Sequence, residues 1–369
     1  MKILMVTPHL PPHQAANALL PHLLGQALRA AGHGVRFLTF GGGPDTEAVA
    51  FVRRRSPALR ATRLPQALEA ADTWRKARAL LRWCDVVHVH SNTWMNQVAA
   101  RLAARAGRPY VLTHYGTEIW HHDGKDPAFR RLNARAAHVA FYSQALLDRG
   151  RELGVPFAAG SVVYPPVADE FRARSDSERQ ALRARHLPEG GLLLLNVKRL
   201  HPLADQQTLV EAFARVLAAR PGARLLVAGS GAERERLEAR AAELQLGPSL
   251  RFLGLVPNEQ VAELQAAADL FVLSSVLEAT PTVALEALAS GTPVVSTDNP
   301  GGLELQALFG DDVRVVPRRD PGALASAVLA ATQPPRRTSA RSAELIAGRF
   351  RLPGVLARHL ELYRQAGAP

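Results

Sequence analysis

Short apolar runs alternating with helical stretches recur along the whole chain. Lys2-Ile3-Leu4-Met5-Val6 has strand length, and a proline-rich turn follows it. Apolar residues then return at Ala18, Leu19, Leu20, Leu23, Leu24, Ala27 and Leu28, a helical spacing that Ala31-Gly32-His33-Gly34 brings to an end. Val35 to Phe40, Asp85 to His90, Pro109 to His114 and Val139 to Ser143 read as further strands, with a helix-like stretch over Asn96 to Ala106. The second half repeats the theme at Leu192 to Val197, Arg224 to Gly229, Leu250 to Gly254, Asp269 to Ser274 and Pro293 to Thr297. Strands buried on both faces are near-continuous apolar runs, and parallel neighbours need a crossover between them. The pattern therefore predicts an α/β protein with doubly wound parallel sheets. Val162 to about Glu189 is polar, proline-containing and rich in arginine, which suits a linker with a surface helix. Two Rossmann-like domains facing one another are expected. Ligands of open parallel sheets bind beyond the carboxyl ends of the strands, which places the expected site in the cleft between them.

A length of 369 residues agrees with two domains, and 47% hydrophobic with 21% charged residues is the composition of a globular protein. The single cysteine, Cys84, excludes an internal disulfide and points to a reducing compartment; beside Trp83 and an apolar run it reads as a buried small residue. Only Ile3 to Thr7 separate Lys2 from Pro8, too short for a signal peptide, and no apolar run approaches transmembrane length. The expected location is cytoplasmic, at most peripheral at the inner membrane face. The net charge of +12 is almost all arginine, since lysine occurs only at 2, 76, 125 and 198. Codon bias in a GC-rich genome would raise arginine without function; a functional excess would attract anionic donors or an anionic membrane face. No aromatic-interleaved basic stripe or nucleic-acid motif is present, so nucleic acid is not an expected partner.

The richest chemistry lies in Glu278-Ala279-Thr280-Pro281-Thr282-Val283-Ala284-Leu285-Glu286. Pro281 marks a helix start and Gly291 its end, so the segment reads strand, loop, helix, strand, with Glu278 in the loop and Glu286 inside the helix. Amides at such a helix start suit a phosphate, and carboxylates accept hydrogen bonds from hydroxyls. Together they suggest a sugar nucleotide. Asn196-Val197-Lys198-Arg199-Leu200 leaves a strand, which sets Arg199 at its carboxyl end, where a guanidinium can grip a diphosphate bidentately. No Asp-x-Asp pair occurs, so metal-bridged diphosphate binding is not expected, and His121-His122-Asp123 point to different sides of any element.

Arg199 and the two glutamates, in this order on this scaffold, resemble the retaining glycosyltransferases of the GT-B fold, specifically the family 4 group. The resemblance covers nearly the whole chain. It takes in the Gly32-His33-Gly34-Val35 turn, Gly229-Ser230-Gly231 through Leu237, and Phe252-Leu253-Gly254-Leu255-Val256. Glu278 to Val295, Arg314-Val315-Val316-Pro317, Asp320-Pro321-Gly322-Ala323-Leu324 and the terminal helix through Tyr363 also fit. It implies that Glu278 holds hydroxyls of the donor sugar, Glu286 the nucleotide ribose, and Arg199 the leaving diphosphate. Amides of Thr282 and Val283 would reach phosphate or sugar, with Gly229 and Lys198 also on the donor side and Leu255 and Val256 near the base. His114, in His114-Tyr115-Gly116-Thr117-Glu118, matches the family histidine that reaches the sugar. His13, Ala15, Ala16 and His90 fall on the acceptor side. The donor is a nucleotide diphosphate-sugar, no cofactor is implied, and the acceptor is a glycan, a lipid-linked sugar or a small molecule. The terminal helix, with Leu352, Val355, Leu356, Leu360 and Tyr363 at helical spacing, should cross back onto the first domain. That gives domains of residues 1–165 with 352–369, and 166–351.

Three departures stand out. Ala204-Asp205 replaces the family's Lys-Gly pair, whose lysine adds a second cation to the diphosphate. Lys198 stands where the family has glycine, and its ammonium is a candidate replacement, as is His201. Ala15-Ala16 replaces a glycine pair in the first loop, narrowing backbone approach. Besides retaining transfer, an epimerase or disaccharide synthase on the same scaffold fits the pattern, and so does a catalytically silent sugar-nucleotide-binding partner.

Overall fold

The computed structural model describes residues 1–13, 15–52, 62–187 and 189–369; Gln14, between His13 and Ala15 in the first loop, lies outside the described residues. The chain divides into two compact units, Met1–Pro165 with Leu352–Pro369, and Pro166–Arg351.

The first unit is built on seven parallel strands: β1 Lys2–Val6, β2 Gly34–Thr39, β3 Thr46–Ala48, β4 Val86–His90, β5 Tyr110–His114, β6 His138–Phe141 and β7 Gly160–Val162. Their order is β3-β2-β1-β4-β5-β6-β7, and register pairs Ile3 with both Val35 and Val86. Every residue of β4, β5 and β6 is buried, as expected of strands covered on both faces. Helices α1 Ala16–Ala30, α2 Leu64–Trp83, α3 Trp94–Arg105, α4 Thr117–Trp120, α5 Pro127–Ala134 and α6 Gln144–Glu152 supply the cover. Side-chain caps set several starts: Thr93 accepts from the Asn96 N–H and Ser143 from the Leu146 N–H.

The second unit has six parallel strands, β8 Leu193–Val197, β9 Arg224–Ala228, β10 Leu250–Gly254, β11 Leu270–Leu273, β12 Val294–Thr297 and β13 Val313–Val316, in the order β10-β9-β8-β11-β12-β13. Its helices are α7 Asp176–Ala184, α8 Gln206–Ala219, α9 Arg234–Glu243, α10 Asn258–Ala267, α11 Thr282–Ala289, α12 Pro300–Phe309, α13 Pro321–Ala331 and α14 Ala340–Leu345. Expected to begin a strand, Asp269 instead sits just before β11, accepting from the Leu193 N–H at 2.8 Å and pairing with Arg179 and Arg183, both at 2.7 Å. That carboxylate ties α7, the anticipated surface helix, to the sheet. In both units strand order reverses once, between β1 and β4 and between β8 and β11, the switch points where loops diverge and ligands find room.

The final helix, α15 Leu352–Gln365, packs in the first unit. Val355, Leu362, Tyr363 and Ala368 share a core with Ile3, Met5, Val35, Val86 and Val111. The buried stripe is rotated from the anticipated one: Val355, His359, Leu362 and Tyr363 lie deepest, while Leu356 and Leu360 pack at its margin. His359 sits in this core with its Nδ1 bonded to the Val355 carbonyl at 2.9 Å, one turn back, while its buried Nε2 has no hydrogen-bond partner among the described residues.

Candidate active site

All strands of the second sheet run parallel, so the loops that follow them leave from one edge. At the end of β8 the backbone of residues 198–200 is clamped by the loop after β9. The Lys198 N–H donates to the Ala228 carbonyl at 2.9 Å and the Leu200 N–H to the Ser230 carbonyl at 3.0 Å. Gly229 is required for that approach: its φ is +138° and a Cβ there would lie 2.0 Å from the Lys198 carbonyl oxygen. The Gly229 N–H in turn donates to the Gly254 carbonyl at 2.7 Å, so the ends of β8, β9 and β10 are tied in series. On this clamped loop the Arg199 side chain is exposed, and among the described residues no carboxylate pairs with it.

Beyond β11, the loop carrying Glu278 is held from both sides. The Val276 N–H donates to the Leu203 carbonyl at 2.9 Å, the Ser274 hydroxyl to the Ala204 carbonyl at 2.9 Å, and the Gly301 N–H to the Glu278 carbonyl at 3.0 Å. A Cβ on Gly301 would come within 2.7 Å of Pro281 Cδ and 3.1 Å of Glu278 Cβ, so α12 docks on this loop only through a glycine. Asn299 caps α12 by accepting from the Gly302 N–H at 2.9 Å, and donates to the Ser275 carbonyl at 3.2 Å and to Thr297 Oγ1 at 3.0 Å. Sequence reading missed this support, although Asn299-Pro300-Gly301-Gly302 carries its signal: a capping residue, a proline at the first helical position, then small residues.

The two loops meet in an ion pair. Lys198 Nζ lies 2.5 Å from Glu278 Oε1, with the side chains 28% and 11% exposed. The lysine that stands in the family's glycine position thus directs its ammonium onto the carboxylate expected to read the sugar. The neighbouring departure is accommodated locally. Ala204 is buried in a tight turn over Pro202–Ala204, and Asp205 adopts a left-handed backbone with φ +46°, a conformation in which glycine is unstrained. Asp205 compensates by accepting from the Thr208 hydroxyl at 2.8 Å. His201 is engaged locally, its Nδ1 accepting from the Leu203 N–H at 3.2 Å.

Helix α11 begins at Thr282, one residue later than a proline at its first position would imply, with Pro281 as the flanking cap residue. Ala284 and Leu285 donate the first backbone bonds, both to the Pro281 carbonyl, which leaves the Thr282 and Val283 amides ahead of the ladder. Glu286 lies on this helix. Burial, with Glu170 adding a second negative charge, raises its carboxyl to about 7. Among the described residues no cation or donor engages that carboxylate. Leu255, in the loop after β10, is 82% exposed, and Val256 beside it is half-buried.

In the first unit His114 ends β5 fully buried, with Nε2 2.8 Å from Asn133 Oδ1 and Nδ1 3.9 Å from Glu118 Oε1. Burial alone would raise the Glu118 carboxyl, but His114 and the Tyr115 N–H at 2.8 Å outweigh it and hold the group below its ordinary value. His90, expected on the acceptor side, is buried; its Nδ1 is 2.7 Å from the Tyr115 hydroxyl and its ring packs 3.9 Å from that of His88. His88 bridges the Tyr363 hydroxyl at 2.8 Å and the Thr113 hydroxyl at 2.7 Å. Desolvation drives His88 and His90 far below the usual imidazole range, so both rings are neutral. His13 is exposed and stacks on His9 at 4.2 Å, and its Nδ1 accepts from the Ala15 N–H at 3.3 Å. Ala15 opens α1 without a side-chain cap, and Ala16 is exposed. Cys84 is buried, its thiol pushed up to about 11 by desolvation. Among the described residues no cluster of histidine, cysteine and carboxylate side chains could hold a metal ion, and no helix is long and apolar enough to cross a membrane.

The family profile described as "Glycosyl transferases group 1" matches residues 178–343, and that described as "Glycosyltransferase Family 4" matches residues 22–171. The D-inositol 3-phosphate glycosyltransferase of Acidothermus cellulolyticus is 30% identical over 307 residues, covering 77% of this chain and 68% of its own length. An uncharacterized glycosyltransferase of Methanocaldococcus jannaschii is 30% identical over 329 residues, covering 83% of this chain and 82% of its own. HepE of Anabaena, whose structure was solved in complex with UDP, shares the fold with a TM-score of 0.79 at 20% identity, covering 98% of this chain and 99% of its own. Two Rossmann-like parallel sheets, with the candidate residues on strand-end loops, are the architecture that this chain shares with HepE. This chain belongs to the GT-B glycosyltransferases of the family 4 type.

Proposed function

We propose that the chain transfers a glycosyl residue from a nucleoside-diphosphate sugar to an acceptor, with retention at the anomeric carbon and without a metal ion. The observation that carries this reading is the pairing of Lys198 with Glu278 beside an exposed, carboxylate-free Arg199, all on loops at the β8/β11 switch point. A fixed carboxylate for sugar hydroxyls next to a free guanidinium for diphosphate is what such a donor requires. Glu286 takes the ribose hydroxyls, and the Thr282 and Val283 amides reach phosphate or sugar. HepE, solved with UDP and with UDP-glucose, supports a nucleotide-sugar as the donor class. His114, held by Asn133 and Glu118, is the first unit's residue assigned to the sugar.

In the proposed step the bond from the anomeric carbon to the diphosphate oxygen breaks and the acceptor oxygen bonds to the same face. The acceptor proton passes to the departing phosphate oxygen, and Arg199 offsets the charge that develops there. No carboxylate is assigned as a covalent nucleophile. Cation supply from Arg199, together with the absence of an Asp-x-Asp pair, supports metal independence.

The test is a thermal-shift panel of UDP-, GDP-, ADP- and dTDP-sugars, followed by assay of sugar release and product anomer by NMR with and without chelator. Release of sugar with the donor's anomeric configuration, unaffected by chelator, is the expected result; an inverted product or a chelator-silenced enzyme would overturn it. A second reading, a silent donor-binding partner, draws on Ala204 in place of a lysine and on a Lys198 ammonium already committed to Glu278. Tight nucleotide-sugar binding without any release would select it.

A further inference from the structure

Helix α2 is 20 residues long and packs inward through Thr73, Ala77, Leu80 and Leu81. Its outer face is unusual for a water-facing helix. Leu64, Leu68 and Trp74 are 52%, 46% and 49% exposed. Arg75, Arg78 and Arg82 are exposed on the same face, and at 3.6 residues per turn these six side chains fall within an arc of roughly 120°. No carboxylate shares the arc. Glu69 is buried, and Asp72 is held by Lys76 at 3.0 Å, Arg75 at 2.9 Å and the Ala50 N–H at 2.7 Å. The Arg78 guanidinium lies over the Trp74 ring at 4.7 Å, leaving its charge outward.

We propose that this face binds the surface of an anionic phospholipid bilayer, with α2 lying in the plane of the interface. Large apolar side chains flanked by arginines on one arc give the two attractions such a surface offers, burial of apolar area at the acyl boundary and contact with headgroup phosphates. Tryptophan is suited to that depth, with an apolar body and a polar N–H. Charge argues against the other occupants. A second copy of the chain would set Arg78 and Arg82 against their own counterparts, an apolar protein groove would strip the guanidinia of water without pairing them, and a nucleic acid would leave Leu64 and Leu68 in solvent. The inference is independent of the reaction assigned above.

The experiment is co-sedimentation of the full-length protein with vesicles of phosphatidylcholine alone and of phosphatidylcholine mixed with phosphatidylglycerol. The protein should pellet with the anionic vesicles and not with the neutral ones, and added salt should weaken the binding. Leu68→Ser/Trp74→Ser and, separately, Arg78→Glu/Arg82→Glu should each lower the partition coefficient by about tenfold or more. All four positions are exposed, and circular dichroism checks that the variants fold; if a double variant does not, Trp74→Ala replaces it. Failure of the wild type to pellet with anionic vesicles, equal binding to neutral ones, or undiminished binding by both variants would overturn the proposal. So would a dimer in analytical ultracentrifugation that Trp74→Ser dissociates.

Discussion

Glu286 holds a charge that the fold resists. Its carboxyl lies at about 7 against an ordinary 4.5, so its contribution to stability is fully present below about 4.5 and is lost as the pH rises through about 7. The difference of about 2.5 pH units, at ~1.36 kcal/mol each, amounts to roughly 3 kcal/mol. Glu286 is half-buried rather than sealed, and solvent screening lowers this to about 1–2 kcal/mol. Glu286→Gln removes the charge and keeps the shape. At pH 8.5 the variant should melt about 2–8 °C higher than the wild type, whereas at pH 4.5 the two should melt together. The same substitution should weaken nucleotide binding, because a carboxylate is the stronger acceptor for ribose hydroxyls, and wild-type affinity should tighten as the pH rises through 7. Scanning calorimetry at several pH values, with isothermal titration of nucleoside diphosphate beside it, measures both effects. A variant less stable at pH 8.5, or a melting curve with the wild-type pH slope, would refute the reasoning.

Arg199→Ala should weaken nucleoside-diphosphate binding by about 1.5–3 kcal/mol and leave nucleoside binding nearly unchanged; titration calorimetry showing equal losses would make Arg199 structural. Lys198→Met leaves the nearly buried Glu278 without its partner and should destabilise the fold by about 1–3 kcal/mol, with Lys198→Met/Glu278→Gln recovering most of the loss. A coupling energy near zero in that double-mutant cycle would show that the pair does not form in solution. Burial holds His359 at about 4 against an ordinary 6.5, so its contribution to stability is intact above pH 6.5 and falls away between about 6.5 and 4, by on the order of 3 kcal/mol. His359→Leu should flatten that acid limb in thermal melts, and an unchanged limb would remove His359 as its cause.

Much of the architecture was legible in the sequence because it rests on local signals. The apolar runs that become β1, β4, β5, β8, β9 and β11 are short, bounded by turn residues and buried on both faces, so periodicity and length alone identify them. The edge strands β3 and β7 were not legible: at three half-exposed or exposed residues each, they are strands only because a neighbour offers its backbone. The loop position of Glu278 and the helical position of Glu286 followed from a proline and a glycine on either side.

Tertiary structure decided the rest. Lys198 and Glu278 are eighty residues apart in the chain, and only the adjacency of β8 and β11 brings the ammonium onto the carboxylate. The raised carboxyl of Glu286 depends on burial and on Glu170, neither visible from its own helix. The inward turn of His359 in α15 needed a core already lined by Ile3, Met5 and Val86, while helical periodicity alone favoured the leucines. Local sequence determined which segments are strands and helices, since that choice depends on residues a few positions apart. Charge state, ion pairing and the orientation of the last helix depend on what surrounds a group in space, and that was fixed only when distant segments packed together.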